Sequence, residues 1–579
     1  MSAEDATFDS SLSEHFASLV ESYRRLPMPL GVYLVRYLLP SGIFFVLTLI
    51  APVVVPMPLM VALPVPLLGV LIFGAVVMYP KILVSQRERA LNNRFHLMVT
   101  HMTVLSTTNI DRMEVFRALS REEEYGALAE ELRRVVELVD TWNLSLDDAC
   151  RRRAKEVPSE HLSDFFDRLS YTLGAGQALE DYLISEQDMM IENYKTVYRG
   201  TLGNLNVMQD LYLSMILSMT FALVFAIVLP ILTGTDPTMT VAAVILMFVL
   251  VQSGFFLAIR SISPYDPVWF HAPEIHTPIQ DRLDRSFKIG VAGSLLLVAL
   301  ALGGTVGVTP GLAVLVPTHE ELSLPLYVAI PMTPLLYPGI VARQAEQKIK
   351  GRDGEFPSFI RALGATEGAK QSTTSAVLES LRNKDFGPLS DNVDNLYRRL
   401  NMRIEPAKAW AHFTAESGSY LIQKFSEMYL VGRQMGGNPK MLGELISANM
   451  NEILQLRQER RQETTTLIGM LYGITTASVF AFFIGLEIVN ILSDMSLDLG
   501  ATAEFDVDSL INASVYNIPL IESLLILVIV FNAVLSALMI RTLDGGHKMN
   551  TYIHIVALTW IGAVTAVFTR WMVGIFLTV

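Results

Sequence analysis

The sequence predicts an all-α polytopic membrane protein of about nine transmembrane helices and two duplicated cytoplasmic helical bundles. Three observations carry this. Apolar runs of about 20 residues recur along the chain. Apart from Arg570, lysine and arginine fall in alternate connections between those runs. Two polar segments repeat one another at a spacing too long for a solenoid.

The 579 residues are 51% hydrophobic and only 17% charged, with a mean hydropathy of +0.40, which points away from soluble enzymes. A net charge of −13 argues against nonspecific nucleic-acid binding. A single cysteine, Cys150, excludes an intramolecular disulfide. The opening "MSAEDATFDSSLSEHF" is acidic, lacks the charged-then-apolar pattern of a signal peptide, and reads as part of a tail over 1–37.

Nine spans are expected, at 38–57, 59–80, 211–233, 239–259, 289–310, 323–342, 466–492, 517–540 and 552–576. The first pair, the hairpin 38–80, is interrupted by Pro52, Pro56, Pro58, Pro64 and Pro66, so a re-entrant path stands beside a spanning one. Segments 81–210 and 343–465 carry 16 and 18 basic residues, 1–37 carries 3, 260–288 carries 4 and 541–551 carries 2. The connections near 58, at 234–238, at 311–322 and at 493–516 carry none. This alternation places the N-terminus and both large segments in the cytoplasm and the C-terminus outside. Four spans then lie within 211–342 and three within 466–579. The outer loop 493–516, with Asp494, Asp498, Glu504, Asp506 and Asp508, is a solvated acidic face or a contact for an extracellular filament or wall component.

The two cytoplasmic segments repeat. Phe95, Val99 and Met102 answer Phe356, Ile360 and Leu363 at a spacing of 261, and "YGAL" at 125–128 answers "FGPL" at 386–389. Later the spacing is 260: Phe165 with Phe425, and Gly176 with Gly436. Apolar residues at three- and four-residue steps (Phe95, Met98, Met102, Leu105; Leu128, Leu132, Val135, Val139) mark amphipathic helices facing a bundle core. The glycines at 174–176 and 436–437 suit helix–helix turns.

Two α-helical cytoplasmic domains, each with a glycine turn before its last helices and each followed by membrane spans, resemble the type II secretion F-protein family over about 90–260 and 350–540. The nine-span layout and the size are similar to its archaeal members, the platforms of the archaellum. The resemblance implies a membrane platform that couples a hexameric cytoplasmic secretion ATPase to assembly of pilin-like filament subunits, and in an archaellum to rotation. A homodimer beneath the motor suits a duplicated platform. An adhesive-pilus platform is the alternative within the family. A secondary transporter with regulatory domains is the alternative outside it, although transporters repeat their membrane halves rather than their soluble parts.

No catalytic, cofactor or metal site is expected. "GATEGAKQS" at 364–372 is one residue short between its glycines for a phosphate loop, and Ala369 separates Gly368 from Lys370. The stretch 361–381 therefore reads as bundle packing, its small side chains permitting close helix approach. His271 and His276 lack zinc-protease spacing, and His96 and His101 lie off one helical face.

The first bundle segment nets −6 and the second +3. The basic residues Lys370, Arg382, Arg398, Arg399, Arg403, Arg433 and Lys440, with Arg112 and Arg117 in the first copy, are candidates for docking the ATPase. Their bland reading is solvation, or proximity to anionic membrane lipid. Within the spans, Glu487, Asn490 and Arg570 are the polar candidates, read as interhelical contacts, with Arg570 free to reach outward beside Trp571.

Overall fold

The computed structural model describes residues 30–54, 87–108, 110–233, 235–264, 266–305, 322–370, 374–502 and 516–577, with Leu312 and seven positions between 69 and 80. Two compact units, Met1–Met190 and Ile191–Val579, divide the chain inside the helix Leu179–Val228. Among the described residues the regular structure is helical, apart from one antiparallel bridge between Trp269 and Ser419.

The first unit holds a bundle of helices Phe95–Ser106, Arg112–Arg121, Ala127–Asp140, Leu146–Ala154 and Glu160–Gly174, closed by the start of Leu179–Val228. Side chains cap the entries: Asp111 accepts from Met113 N, Ser145 from Asp148 N and Ser159 from Leu162 N. Phe95, Met98, Met102, Leu105, Leu128, Leu132 and Val135 are buried, as their periodicity requires, and Val139 is half-buried at the rim. Cys150 is fully buried, and burial pushes its thiol well above the usual range.

The second unit contains the other copy, and the correspondence reaches the backbone. Helix Glu160–Gly174 is answered by Tyr420–Gln434, and both Leu179–Val228 and Pro439–Thr502 start 260 residues apart. Gly126 and Gly387 adopt φ of 53° and 51°, and Gly176 and Gly436 adopt 80° and 85°. These are left-handed positions that only glycine occupies without strain. The change of spacing from 261 to 260 falls in one turn: Ala127–Asp140 and Ser390–Asn401 end 261 apart, whereas Leu146–Ala154 and Pro406–Ser417 begin 260 apart.

Eight described helices are long and apolar enough to cross a membrane: Gly31–Ile50, Leu179–Val228, Pro237–Ile262, Pro278–Gly304, Leu324–Ala369, Pro439–Ser493, Ile518–Asp544 and Lys548–Phe576. The first lies about seven residues earlier than expected, and the expected span at 59–80 falls mostly outside the described residues, as does most of the loop 493–516. In the second unit the apolar core joins Tyr212, Ile216, Phe248, Leu471, Phe482 and Ile529 across four of these helices. Leu295, Leu296 and Leu302 stay exposed on Pro278–Thr305, as lipid-facing side chains do. The two long helices run side by side: Arg199 binds Glu459, its equivalent 260 residues on, through two bonds of 2.8 and 3.0 Å, and Thr220 meets Ser478 at 2.8 Å.

The glycines of "RALGATEGAK" do pack helices. Helix Leu336–Lys370 crosses Pro439–Thr502 with Gly364 against Gly443, their Cα atoms so close that a Cβ on Gly443 would sit 2.7 Å from Ile360 O. A Cβ on Gly364 would overlap Pro439 O.

Candidate coupling site

Of the two long helices that form this crossing, Leu336–Lys370 joins the apolar helix Leu324–Met332 through one 3-10 turn, Thr333–Leu335, and Pro439–Thr502 continues without a break from the second bundle into an apolar segment. At about 1.5 Å per residue they are rods of roughly 50 and 95 Å. Just below their apolar parts they meet the connection 263–277 and the turn 545–550, and the polar side chains concentrate there.

Arg457 is the centre. It donates to both oxygens of Asp266, at 2.6 and 2.8 Å, to Pro267 O at 2.9 Å and to Asp353 Oδ2 at 2.9 Å. Asp353 is fully buried, and its other oxygen accepts from Ser419 Oγ, which also caps the next helix by accepting from Ile422 N. Segment 266–270 adds to the 418–420 turn through Phe270 N to Gly418 O and Tyr420 N to Val268 O. One guanidinium thus holds the connection, the bundle turn and both rods together. Its planar fork suits this, because three separate acceptors are met without rotamer change.

A second hub adjoins it. Glu346 accepts from Trp269 Nε1 at 3.1 Å, His547 N at 2.9 Å, Asn550 Nδ2 at 2.7 Å and Lys350 Nζ at 2.8 Å. Gly546 lies so close that a Cβ there would meet Glu346 Oε2 at 2.8 Å. Arg460 closes the C-terminus of Ile518–Asp544 by donating to Leu543 O and Thr542 O, where a cation also complements the helix dipole. A cleft of about 450 Å³ beside the hubs is lined by Lys350, Asp353, Arg457, Arg461 and Asp544. Among the described residues no cluster of histidine, cysteine or carboxylate side chains has the form of a metal site.

Residues 98–230 match the family Type II secretion system (T2SS), protein F. Over 511 residues the chain is 32% identical to Flagella accessory protein J of Methanocaldococcus jannaschii, which covers 88% of this chain and 89% of that protein. Over 507 residues it is 31% identical to Flagella accessory protein J of Methanococcus voltae, covering 87% and 89%. The chain belongs to the flagella accessory protein J family. No solved structure matches it. The resemblance read from the bundles and their glycine turns is the relationship found.

As a family member with two bundles, the chain shows what its charged candidates do. Arg117 is committed to Asp140 at 2.8 Å and Glu114 at 3.4 Å. Arg399 is bidentate to Glu416. Arg433 binds Glu367 at 3.0 Å and Gly437 O at 3.0 Å, and Tyr429 donates to the same carboxylate at 2.7 Å. These three work within their own domain. Arg382 lies over the Tyr397 ring at 5.0 Å, and Arg398 forms an exposed pair with Asp394 at 2.6 Å. Arg112, Arg403 and Lys440 are exposed, and Lys370 ends its helix with a side chain outside the described residues.

Arg570 does not reach outward. It bridges Glu487 at 3.0 Å and Glu522 at 2.8 Å, lies 5.4 Å over the Phe483 ring, and so gathers three spans around one cation. Asn490 reaches Glu487 only at 3.5 Å. In an apolar surrounding two carboxylates are a better place for a guanidinium than a longer path to the interface. Arg570→Leu should therefore reduce the folded yield in membranes more than Glu487→Gln, since the first leaves two carboxylates without their cation. Equal losses would contradict this account. Glu487→Gln should also leave filament assembly intact.

The sequence pointed at His271 and His276 only to dismiss metal binding, yet His271 has a part here. It lies in the stack of Trp269 and His547, with Trp269 and His547 centroids 4.8 Å apart. Burial, and then His271, push His547 down to about 4, and burial lowers His271 as well, with Asp284 opposing. Both folded-state values lie below the ordinary 6.5, so the fold favours the neutral rings. Their contribution to stability is complete above about pH 6.5 and declines as pH falls toward 4. A neutral His547 also accepts from Met549 N, a bond that protonation of Nδ1 removes. Melting temperature followed from pH 7.5 to 4 should fall across this window, and His547→Asn, which keeps a capping acceptor, should flatten the fall.

Proposed function

We propose that this chain is the membrane platform of an archaellum, coupling a hexameric cytoplasmic secretion ATPase to the assembly of pilin-like subunits and to filament rotation. The observation that carries this reading is the pair of long helices running from the second bundle to apolar spans, Pro439–Thr502 unbroken and Leu336–Lys370 through one 3-10 turn, clamped together by Arg457. A force on the bundle reaches the membrane helices through covalent rods and one ionic joint, with no flexible linker to absorb it. Relationship to proteins named Flagella accessory protein J, over most of both chains, supports the archaellum over other filaments. The distribution of lysine and arginine supports cytoplasmic bundles, a cytoplasmic N-terminus and an outer C-terminus. The chain works mechanically, and ATP hydrolysis belongs to its partner.

Arg112, Arg382, Arg398 and Lys440, with Lys370, form the docking set for the ATPase. Reversing Arg399 or Arg433 would break a domain instead of a contact. Arg398→Glu with Lys440→Glu should lower co-purification of the ATPase, most clearly at low salt, where exposed charges act furthest. Unchanged recovery across a salt series would remove these residues from the interface. The function itself is tested by deleting the gene and viewing cells by negative-stain electron microscopy, scored beside swimming. Loss of the swimming filament with adhesive pili retained is expected. Loss of pili with swimming intact would make the chain a pilus platform.

A further inference from the structure

Two non-glycine residues among those described have positive φ: Asn143 at 53° and Arg403 at 58°. They stand 260 residues apart, at the same turn of the two bundles, between Ala127–Asp140 and Leu146–Ala154 in one and between Ser390–Asn401 and Pro406–Ser417 in the other. Asparagine tolerates this conformation, whereas arginine there is strained; each residue ends the helix before it, with Leu144 N on Leu138 O in one copy and Ile404 N on Arg399 O in the other. The residue before each is a large apolar side chain held in solvent: Trp142 is 68% exposed and Met402 67%. Neither has a core to fill. Both project from turns whose backbone is pinned by Thr141 N to Glu137 O and by Met402 N to Arg398 O.

The knobs match in position and differ in charge. Residues 137–148 hold Glu137, Asp140, Asp147 and Asp148 and no basic residue, while 397–408 hold Arg398, Arg399, Arg403 and Lys408 against Glu405. Internal pairing reduces both sets. Arg117 takes Asp140, and Arg151 takes Asp148. Asp394, Glu416 and Glu405 take Arg398, Arg399 and Lys408. Asp147 is held by Ser145 with Arg151 nearby; Glu137 remains beside Trp142, and Arg403 remains beside Met402.

We infer that these turns join two copies of this chain, the acidic Trp142 turn of one copy seating against the basic Met402 turn of the other. A ring of identical subunits offers one kind of socket and would select knobs of one charge. Here two knobs of one shape carry opposite charge, and the complement of each is the other. Every copy carries one turn of each kind, so the pairing is one between copies of this chain. An exposed tryptophan and methionine supply the apolar centre that such contacts need, with charges at the rim setting orientation. Of the ATPase-docking set, Arg398 lies in this segment and Arg112, Lys370, Arg382 and Lys440 lie elsewhere in the sequence; the inference does not depend on that reading.

The test uses two full-length, differently tagged copies expressed in the same membranes, one with Trp142→Cys and the other with Met402→Cys. The native Cys150 is fully buried and stays in place. Oxidation with copper phenanthroline should give a mixed disulfide containing both tags. Met189→Cys, exposed on the same unit about ten residues into the helix Leu179–Val228, should not give it when it replaces Trp142→Cys. Adding Arg403→Glu to the Met402→Cys copy should cut the yield by roughly tenfold, since like charges then face each other. Glu137→Arg in the other copy should restore it, which no simple folding defect would do. Absence of the mixed disulfide, a yield indifferent to Arg403→Glu, or capture of the ATPase by both cysteines in its place would each overturn the inference.

Discussion

Arg457→Met is expected to cost about 3–5 kcal/mol of stability and to abolish filament assembly. The guanidinium is the counterion of two carboxylates, and one of them, Asp353, has no access to solvent. Removing the cation leaves that charge buried with only Ser419 Oγ to satisfy it. The connection 263–277 also loses its hold on the bundle, because Pro267 O and both oxygens of Asp266 depend on the same side chain. Melting of the purified protein in detergent reads the first effect, and surface filaments read the second. Arg457→Met combined with Asp266→Asn and Asp353→Asn should recover much of the stability, as apolar or neutral replacements of whole buried ion pairs often do. Recovery of filaments in that triple variant would show that the joint serves folding alone. An unchanged melting point in the single variant would remove it from both roles.

Gly364→Ala should be the second most damaging change for its size. The added methyl meets a backbone oxygen, Pro439 O, and so cannot be accommodated by a side-chain rotation. Overpacking typically costs about 1–3 kcal/mol, and the upper end applies where two helices must separate. Gly354, on the same helix, is exposed, and a methyl added there would have nothing within 4 Å, so Gly354→Ala should stabilise by about 0.5–1 kcal/mol through helix propensity alone. Opposite signs for the same substitution at two positions of one helix would locate the crossing. Similar signs would refute it.

The helical class, the family and most of the membrane helices were legible because hydropathy and period are local properties of a chain. The duplication was legible because aromatic and glycine positions that shape a core or a turn, such as Phe165 with Phe425 and Gly176 with Gly436, leave a readable trace. The joint was not. Asp266, Asp353 and Arg457 are separated by about a hundred residues each, and nothing near any of them announces a partner. A trace existed only by comparison between copies. Ser159 accepts a helix N–H in the first bundle and binds Asn92 Oδ1 at 2.6 Å, while its counterpart Ser419 binds Asp353. Asn92 and Asp353 stand 261 apart, so the second copy has put a charge where the first has an amide, and Arg457 answers it. The internal partners of the basic candidates were hidden for a related reason. A basic residue on a helix reads as exposed, and whether it faces Glu416 or Glu367 is decided by packing over long separations.

The contact between Arg199 and Glu459 joins corresponding positions of the two copies, 260 residues apart. In a dimer of two identical half-length chains, a residue lying on the two-fold axis meets its own image, so that site could hold two arginines or two glutamates and never one of each. A single chain that carries both copies is under no such restriction. Positions 199 and 459 take opposite signs, and a place that identity would make one of like-charge repulsion is an ion pair. The same freedom lets the two bundle segments carry net charges of −6 and +3 on one repeated helical pattern.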